Sequence, residues 1–420
     1  MKISFVRAAF AASLLCSTAF GAAVLTAGSA VAADKLSNAV VQPLAAAQKL
    51  MQAGDYQGAL AKVKEAQAAS SGKPFDDYKI NQFLAAVSIK LNDFAAAATA
   101  EEAAADSPAM PDEDKKGVLH DALLISGQAK QYAKTITYGQ QLAAINGMDD
   151  QTTAVLAIAY YETNDIPHAQ QYAQQGIDLA KAAGKQPDPG LLQIVMNAQV
   201  KQNNEAGAEQ TLEQLVMSSG DPKQLGQLID VSMSTKGMND TYFLDLLRLK
   251  VLTGAAQADD YTQLANAAYL QGYPEEAVNV LQQAGRVSGK ATETLRKSRS
   301  DAATDEKQLP SIAASAERAK KGQEDVKLAE DYWGYGRYAD AEAAARRAIG
   351  KGGIKDPAEG PLILGMALVA QGKYDEAIQT LAQVDGNDAA RKTAHLWTLY
   401  AQIKKGPAAA PPAAAPAPAH

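Results

Sequence analysis

A short segment recurs along the chain at intervals close to multiples of about 34–36 residues, and this period constrains the fold more than any other feature. Each copy has a small or polar pair, then an aromatic or apolar residue, then Ala three residues later. The clearest copies are AGDYQGA, LNDFAAA, TNDIPHA, QGYPEEA, YGRYADA and QGKYDEA, which end at Ala59, Ala97, Ala169, Ala277, Ala341 and Ala377. Such a period is typical of repeats in which each unit packs only on its neighbours.

Weaker copies fill most of the remaining intervals. AKQYAKT ends at Thr135 and QNNEAGA ends at Ala208, whereas the intervals near Tyr242 and Pro310 keep only a helical pattern. The total is about ten units. We therefore predict an all-α fold, an α-solenoid of about ten antiparallel helix pairs over residues 34–388. The two weak intervals are the places where an inserted fold, for example a hidden hydrolase domain, would interrupt the repeat.

The clearest unit shows how one pair is built. Apolar residues three to four positions apart, Leu364 and Leu368 among them, give the first helix an apolar face. Gly372 can take the left-handed conformation that ends a helix. Ala377 lies where the two helices cross closely, so a larger side chain there would overpack the contact and cost about 1–3 kcal/mol.

The order of Leu364-Gly365, Gly372, Tyr374 and Ala377 resembles the tetratricopeptide repeat, a helix–turn–helix family. The resemblance covers most of the range 44–384. The chain departs from the family pattern in three ways: the early Trp is missing from every unit, the Gly beside the Leu is usually Ala, and the closing Pro is mostly displaced or lost. The resemblance implies a superhelix whose inner face, lined by the first helix of each pair, holds peptides or partner proteins.

The family's groove positions can be transferred to this chain residue by residue. They fall on Tyr161, Thr262, Asn266, Tyr269, Glu330, Trp333 and Met366, together with the apolar Val326, Leu362 and Val369. Asn can hydrogen-bond an extended peptide, and aromatic side chains make large anchors. The alternative is that the aromatic residues only fill gaps between repeats. Lysines do not line these positions in the middle units, which argues against the family's clamp for a C-terminal dicarboxylate.

The first 33 residues have the pattern of a secretory signal peptide. Lys2 and Arg7 precede an uncharged stretch, and GSAVAADK offers a small-residue cleavage site after Ala32 or Ala33. The alternatives are an uncleaved membrane anchor, or a lipoprotein attached at Cys16, although Leu15 before that cysteine is too large. Cleavage predicts a periplasmic or otherwise exported protein with no stable membrane span, most plausibly in a bacterial envelope.

Cleavage also changes the cysteine count and the charge. The only cysteine leaves with the signal, so no disulfide framework remains. The formal charge moves from −7 to −9, because the signal contains Lys2 and Arg7 and no acidic residue. An acidic chain argues against nucleic acid as a partner.

The C-terminal end contains two further segments. Residues 389–405 read as an amphipathic helix that caps the last repeat, with Leu396, Leu399 and Ile403 on its apolar face. Trp397 in this helix is either part of the cap or a binding anchor. Residues 406–420 are rich in Ala and Pro, and we predict a disordered tail.

Motifs that suggest chemistry have simpler explanations in the repeat. AGRVSGKAT lacks the final Ser or Thr of a phosphate loop and has no strand before it, and GYGRYA places Gly336 at a repeat turn. The histidines have no metal-ligand spacing, and no nucleophile motif occurs. We therefore predict no catalytic residues, no metal and no cofactor.

The sequence thus favours a non-catalytic periplasmic scaffold or adaptor that binds a protein or peptide in the cell envelope, in its assembly or in export. The alternative is a glycan- or solute-binding solenoid linked to polysaccharide export, which the aromatic groove residues would suit. The oligomeric state is left open.

Overall fold

The computed structural model describes residues 35–285 and 289–406, and within these ranges every regular element is an α-helix. The predicted signal peptide and nearly all of the predicted Ala/Pro tail lie outside the described residues. The helices are α1 Asn38–Gln52, α2 Tyr56–Ala69, α3 Pro74–Lys90, α4 Phe94–Ala105, α5 Lys115–Gln128, α6 Tyr132–Ala144, α7 Asp150–Glu162, α8 Ile166–Ala182, α9 Pro189–Lys201, α10 Glu205–Ser219, α11 Pro222–Ser232, α12 Asp240–Thr253, α13 Ala258–Leu270, α14 Pro274–Gln283, α15 Lys290–Arg318, α16 Gln323–Gly334, α17 Tyr338–Lys351, α18 Glu359–Ala370, α19 Tyr374–Leu381 and α20 Asp388–Lys405.

The predicted helix-pair repeat is confirmed. The described residues form nine consecutive pairs and two single helices, α15 and α20, and neighbouring helices contact each other along most of the chain. The interval near Tyr242 is the pair α11–α12. The interval near Pro310 is one helix of 29 residues, α15, in place of a pair. Neither interval contains an inserted non-helical fold.

The turn within each repeat depends on one residue with a left-handed backbone. Gly54, Gly272, Gly336 and Gly372 hold this position in four copies, with φ between 68° and 90°. Asn92, Asn164, Asn203 and Lys130 hold it in four more, with φ between 56° and 63°, and the longer connection between α11 and α12 contains Gly237 with a φ of 88°. Gly adopts this conformation without steric cost and Asn tolerates it better than most residues. The predicted role of Gly372 is confirmed, and Gly336 is a turn residue as the repeat requires.

The recurring alanine is the contact point of each helix pair. Ala59, Ala97, Ala169, Ala277, Ala341 and Ala377 are all fully buried, with no exposed surface. Thr135, at the equivalent place in a weaker copy, is also fully buried. A small side chain is needed where two helix backbones approach closely, so the periodic alanine makes most of the helix pairs pack.

The chain divides into two compact units, residues 1–211 and 212–420, with the boundary inside α10. In unit 1, each of the helices α1 to α9 contacts the next, and first helices also touch along one row, as α5 does with α7 and α7 with α9. Its core contains small alanines beside larger residues such as Val63, Phe83, Leu123 and Leu142.

Unit 2 is arranged differently, because its inner helices close into a ring. Helix α14 contacts α16, α16 contacts α18, and α18 contacts α20. Helix α20 then contacts α12, and Arg248 on α12 hydrogen-bonds Glu276 on α14. The five helices α12, α14, α16, α18 and α20 are called the inner ring below.

Helix α20 completes this ring. Trp397 is fully buried, its Nε1 donates to the Asp245 carbonyl on α12 at 3.3 Å, and its ring meets Trp333 edge-on with centroids 5.9 Å apart. Tyr400 Oη donates to the Leu252 carbonyl at 3.2 Å. Of the two predicted roles for Trp397, the structure favours packing over an exposed anchor.

Candidate functional site

The first-helix face of unit 1 carries a row of half-buried amide and aromatic side chains. We define this face by residues on the same stripe of the first helices α3, α7 and α9, at positions three or four residues apart in the aligned repeats. They are Gln82, Gln151, Tyr161, Gln193 and Asn197. Second helices pack on the opposite side of these helices, so the row remains partly open to solvent.

Hydrogen bonds hold several of these side chains in place. Asn197 Nδ2 donates to Tyr161 Oη at 3.0 Å, which joins α9 to α7, and Gln193 Nε2 donates to Asn197 Oδ1 at 3.1 Å. Gln82 Nε2 donates to Tyr78 Oη at 2.8 Å. An amide has both donors and acceptors, so a fixed row of amides can satisfy the backbone of an extended ligand. Tyr161 is the one predicted groove residue that lies on this face.

Charged groups also lie on or beside this face: Lys79 on α3, whose Nζ donates to Gln82 Oε1 at 3.1 Å, and His120 on α5, which two acids flank. Its Nδ1 lies 3.1 Å from Asp121 Oδ1 and its Nε2 lies 3.2 Å from Asp149 Oδ2. Hydrogen bonds to Asp121 and Asp149 raise the pKa of His120 to about 9, so the imidazolium persists at neutral pH. Burial alone would raise the pKa of Asp149, but hydrogen bonds from His120 and Thr152 hold it below its usual value.

The predicted groove residues on α13 face another helix of their own unit. Asn266 Oδ1 accepts a hydrogen bond from Thr294 on α15 at 2.7 Å, and Tyr269 Oη donates to Asp301 on α15 at 2.8 Å. Thr262 bonds to the Ala258 carbonyl of its own helix at 3.2 Å. Helix α15 therefore lies along the face where a ligand was predicted.

The remaining predicted groove residues are buried inside unit 2. Glu330 is 4% exposed, Trp333 is 8% exposed and Met366 is fully buried. Glu330 accepts a hydrogen bond from Arg248, and Trp333 meets Trp397 and Tyr338. In this conformation these side chains contact other residues of unit 2 and have little surface that a partner could reach. Direct contact with a partner stays a prediction for the predicted groove residues that are partly exposed.

The single helix α15 explains the difference between the two units. Up to α14, the first helix of each pair carries an odd number in chain order. Because α15 has no partner, first helices carry even numbers after it. The first helices α16 and α18 therefore pack in one row with α14, which is a second helix. Gly334 on α16 accordingly lies against Glu276 on α14. Positions that line an open face in unit 1 therefore point into the inner ring of unit 2.

The inner ring contains a charged cluster that the sequence reasoning missed. Arg248 Nε and Nη2 donate to the two oxygens of Glu276 at 2.7 and 2.6 Å, and Nη1 donates to Asp245 at 3.0 Å and to Glu330 at 2.5 Å. All four side chains are at most 6% exposed. The available signal was LDLLRLK in α12, where an acid and an arginine interrupt a run of leucines. We call these four residues the Arg248 cluster.

The described part of the chain offers no constellation for metal chemistry. No group of three or more His, Cys, Asp or Glu side chains within it is arranged to hold a metal ion. Among the same residues, no helix combines the length and the apolar character that crossing a bilayer requires.

Comparison with known proteins gives low-identity similarities. No family model matches the sequence, and no curated protein matches it. Among solved structures, a tetratricopeptide repeat protein from Parabacteroides merdae is 12% identical with a TM-score of 0.35, over 63% of this chain and 100% of that one.

Two further solved structures are complexes. The anaphase-promoting-complex assembly Cut9–Hcn1 is 12% identical with a TM-score of 0.26, over 85% of this chain and 66% of that one. The Naa15/Naa10 complex bound to HypK-THB is 14% identical with a TM-score of 0.34, over 84% of this chain and 58% of that one. At these TM-scores the similarities carry no argument about function.

Proposed function

We propose that this protein is a non-catalytic scaffold of the cell envelope, and that unit 1 binds an extended segment of a protein partner along its first-helix face. The observation that carries the proposal is the fixed row of amide and aromatic side chains on α3, α7 and α9. In unit 2 the equivalent positions contact that unit's own helices.

The chemistry of this face suits a polypeptide backbone. Gln82, Gln151, Gln193 and Asn197 offer amide donors and acceptors, and Tyr161 offers a large ring with a polar end. Because neighbouring side chains already hold Tyr161 and Asn197 in place, less rotamer entropy is lost when a ligand binds.

A photo-crosslinking amino acid placed at Gln193 tests the proposed face. Gln174, exposed on the second helix α8, is the matched control position. We expect a partner protein to crosslink in cells from position 193 and not from position 174. The same capture should be lost when Tyr161→Ala and Asn197→Ala are combined, and kept when Gln174→Ala and Gln175→Ala are combined. Equal capture from both positions, or capture that survives the Tyr161/Asn197 variant, would rule out this face.

A glycan is the second candidate ligand, because amides and a tyrosine ring are also suitable partners for sugar hydroxyls. Titration calorimetry of the mature protein with a panel of oligosaccharides distinguishes the two. Heat that disappears in Tyr161→Ala would favour the glycan. No heat from any oligosaccharide, with crosslinking to a protein intact, would favour the peptide.

The envelope location is part of the proposal and rests on residues 1–33. N-terminal sequencing of the protein purified from cell fractions tests it directly. A chain that starts at Ala33 or Asp34 in the exported fraction supports cleavage, whereas a chain with an intact N-terminus in the membrane fraction supports a retained anchor.

A further inference from the structure

The Arg248 cluster contains more negative groups than its one cation can balance. Three carboxylates, Asp245, Glu276 and Glu330, share the guanidinium of Arg248, and all are at most 6% exposed. Removing an ionised carboxylate from water costs several kcal/mol unless it is paired, so two unpaired charges would strongly destabilise the core. The usual response of a buried group in this situation is to take up a proton.

Neighbouring cations do not supply the missing charge. Lys250, on the same helix, donates to Asp230 and Asp260 at 2.6 and 2.7 Å. Lys351 and Arg347 bond to Asp325 at 2.6 and 3.1 Å. These basic side chains are already used by other carboxylates.

The three acids differ in how strongly Arg248 and the local helix stabilise their negative charge. Glu276 receives two parallel hydrogen bonds from Arg248 and lies in the first turn of α14, where the helix dipole favours a negative charge. Asp245 and Glu330 lie within α12 and α16 and share the remaining Nη1. The charge of Arg248 is therefore assigned to Glu276, and the excess charge falls on Asp245 and Glu330.

We propose that the Arg248 cluster is a proton-dependent lock: one proton, shared between Asp245 and Glu330 at neutral pH, holds α12, α14 and α16 together. Alkaline pH removes that proton and weakens unit 2. Burial and the neighbouring Glu330 raise the pKa of Asp245 despite the opposing effect of Arg248, and burial likewise raises the pKa of Glu330, which agrees with this assignment.

The groups around the cluster are further acids, each with a lysine near it. Burial, with Asp305 and Glu330, raises the pKa of Asp331 on α16 to about 7, and Lys327 opposes this rise. Burial, with Asp356 and Glu330, also raises the pKa of Glu359 on α18, and Gln323 and Lys355 oppose it. The other facing side chains are aromatic. They are Tyr242 on α12, Tyr273 before α14, Trp333 on α16, Tyr338 on α17 and Trp397 on α20.

The test uses the two tryptophans, which are the only ones in the chain and both lie in unit 2. Urea unfolding of the full mature protein is followed by tryptophan emission between about pH 7.5 and pH 8.5, above the range where Asp331 titrates and below the range where tyrosines of the unfolded chain ionise. We expect the unfolding equilibrium constant to rise about tenfold per pH unit, because the folded state keeps one proton that the unfolded state has released.

Neutral isosteres identify the groups that hold the proton. Glu330→Gln and Asp245→Asn each remove one negative charge and keep an oxygen for Arg248, so the rise with pH should disappear in both. Glu101→Gln, which removes a buried acid of unit 1, is the matched control and should leave the tryptophan-detected rise unchanged. A wild-type equilibrium constant that does not change with pH, or a rise that persists in both cluster variants, would overturn the lock.

If the cluster variants do not fold, infrared spectroscopy can test directly whether a cluster acid is protonated. The protein with Glu101→Gln and Asp331→Asn retains an intact Arg248 cluster and lacks the other strongly shifted acids. Its spectrum in heavy water should contain a protonated-carboxyl C=O band at neutral pH. Absence of that band would show that all three cluster acids are ionised and would contradict the proposal.

Discussion

At the scale of single residues, this repeat protein places several acids and one histidine where burial or a close partner changes the pKa. The positions arise because most helices pack on two to four others, so a polar residue on a packed face leaves solvent. Two such residues in unit 1, Glu101 on α4 and His120 on α5, make the stability of that unit depend on pH.

Glu101→Gln should stabilise unit 1 at alkaline pH. Glu101 is 6% exposed, and burial and then Asp121 raise its pKa to about 8. The folded state therefore keeps a proton that the unfolded state releases near pH 4.5, so stability falls as the pH rises from about 4.5 to about 8. Urea unfolding followed by circular dichroism should show this fall in the wild type and a smaller fall in the variant. Glu113→Gln, at an exposed position, should behave as the wild type does.

His120→Gln should remove a different pH dependence. Hydrogen bonds to Asp121 and Asp149 raise the pKa of His120 from 6.5 to about 9. Its contribution to stability is therefore complete below about pH 6.5 and is lost as the pH rises to about 9. Proton NMR of the histidine rings should find one ring that titrates near pH 9 and is missing from the variant. His168→Gln should leave that resonance in place, and the absence of any ring that titrates near pH 9 in the wild type would contradict the assigned contacts.

At the scale of helices and turns, two residues of the repeat determine most of its structure. The alanine sets the helix crossing, and the left-handed residue sets the turn. Both were predictable from the sequence, because a small residue at a close crossing and a Gly or Asn at a helix end leave a periodic signal. The phase shift at α15 was not predictable from that signal. It depends on one unpaired helix in the interval where the repeat pattern is faintest, and the sequence there fits one long helix or two short ones.

Ala169→Val should weaken the pair α7–α8 through overpacking. Ala169 is fully buried at the crossing, so two added methyl groups should cost about 1–3 kcal/mol. Ala182→Val, near the end of the same helix and exposed, has the same change in helix propensity without the clash. Thermal melting should show a lower midpoint for Ala169→Val alone. Equal midpoints for the two variants would mean that the crossing tolerates a larger residue.

Lys130→Gly should stabilise the turn between α5 and α6. Lys130 has a φ of 58°, a left-handed conformation that costs a non-glycine residue about 1–2 kcal/mol. The greater freedom of glycine in the unfolded chain offsets about 0.5–1 kcal/mol of this, so a net gain of up to about 1 kcal/mol is expected. Lys116→Gly, inside α5, should destabilise instead. A lower melting midpoint for Lys130→Gly would show that Lys130 makes a contact worth more than the backbone strain.

At the scale of the whole molecule, the two units use the same repeat for different purposes. Unit 1 leaves the first-helix face partly accessible, and Tyr161 lies on it, so its role in binding stays a prediction. Unit 2 turns the equivalent positions inward, so Glu330, Trp333 and Met366 are core residues. The register predicted which residues share a row, but which row faces solvent follows from the contacts of α12, α15 and α20, which lie far from these residues in sequence.

Trp397→Ala should destabilise unit 2 more than any surface change in it. The side chain is fully buried between α12 and α16, and its removal should cost about 3–5 kcal/mol. Urea unfolding followed by the emission of the remaining Trp333 should show a lower midpoint. Leu270→Ala, at a residue 83% exposed, is the control in the same unit and should have little effect. An unchanged midpoint for Trp397→Ala would mean that α20 does not help to hold the ring.

Closure of the inner ring also limits how this gene can change in length. Open helical arrays grow and shrink through duplication and loss of whole repeats, since each new pair finds the same neighbours as the old one. A pair duplicated between α16 and α20 would place α20 one step away from α12 and separate Trp397 from the Asp245 carbonyl. We therefore expect the contact between the first and last ring helices to limit the repeat number in this part of the chain, and length variants to be tolerated there less than in an open array.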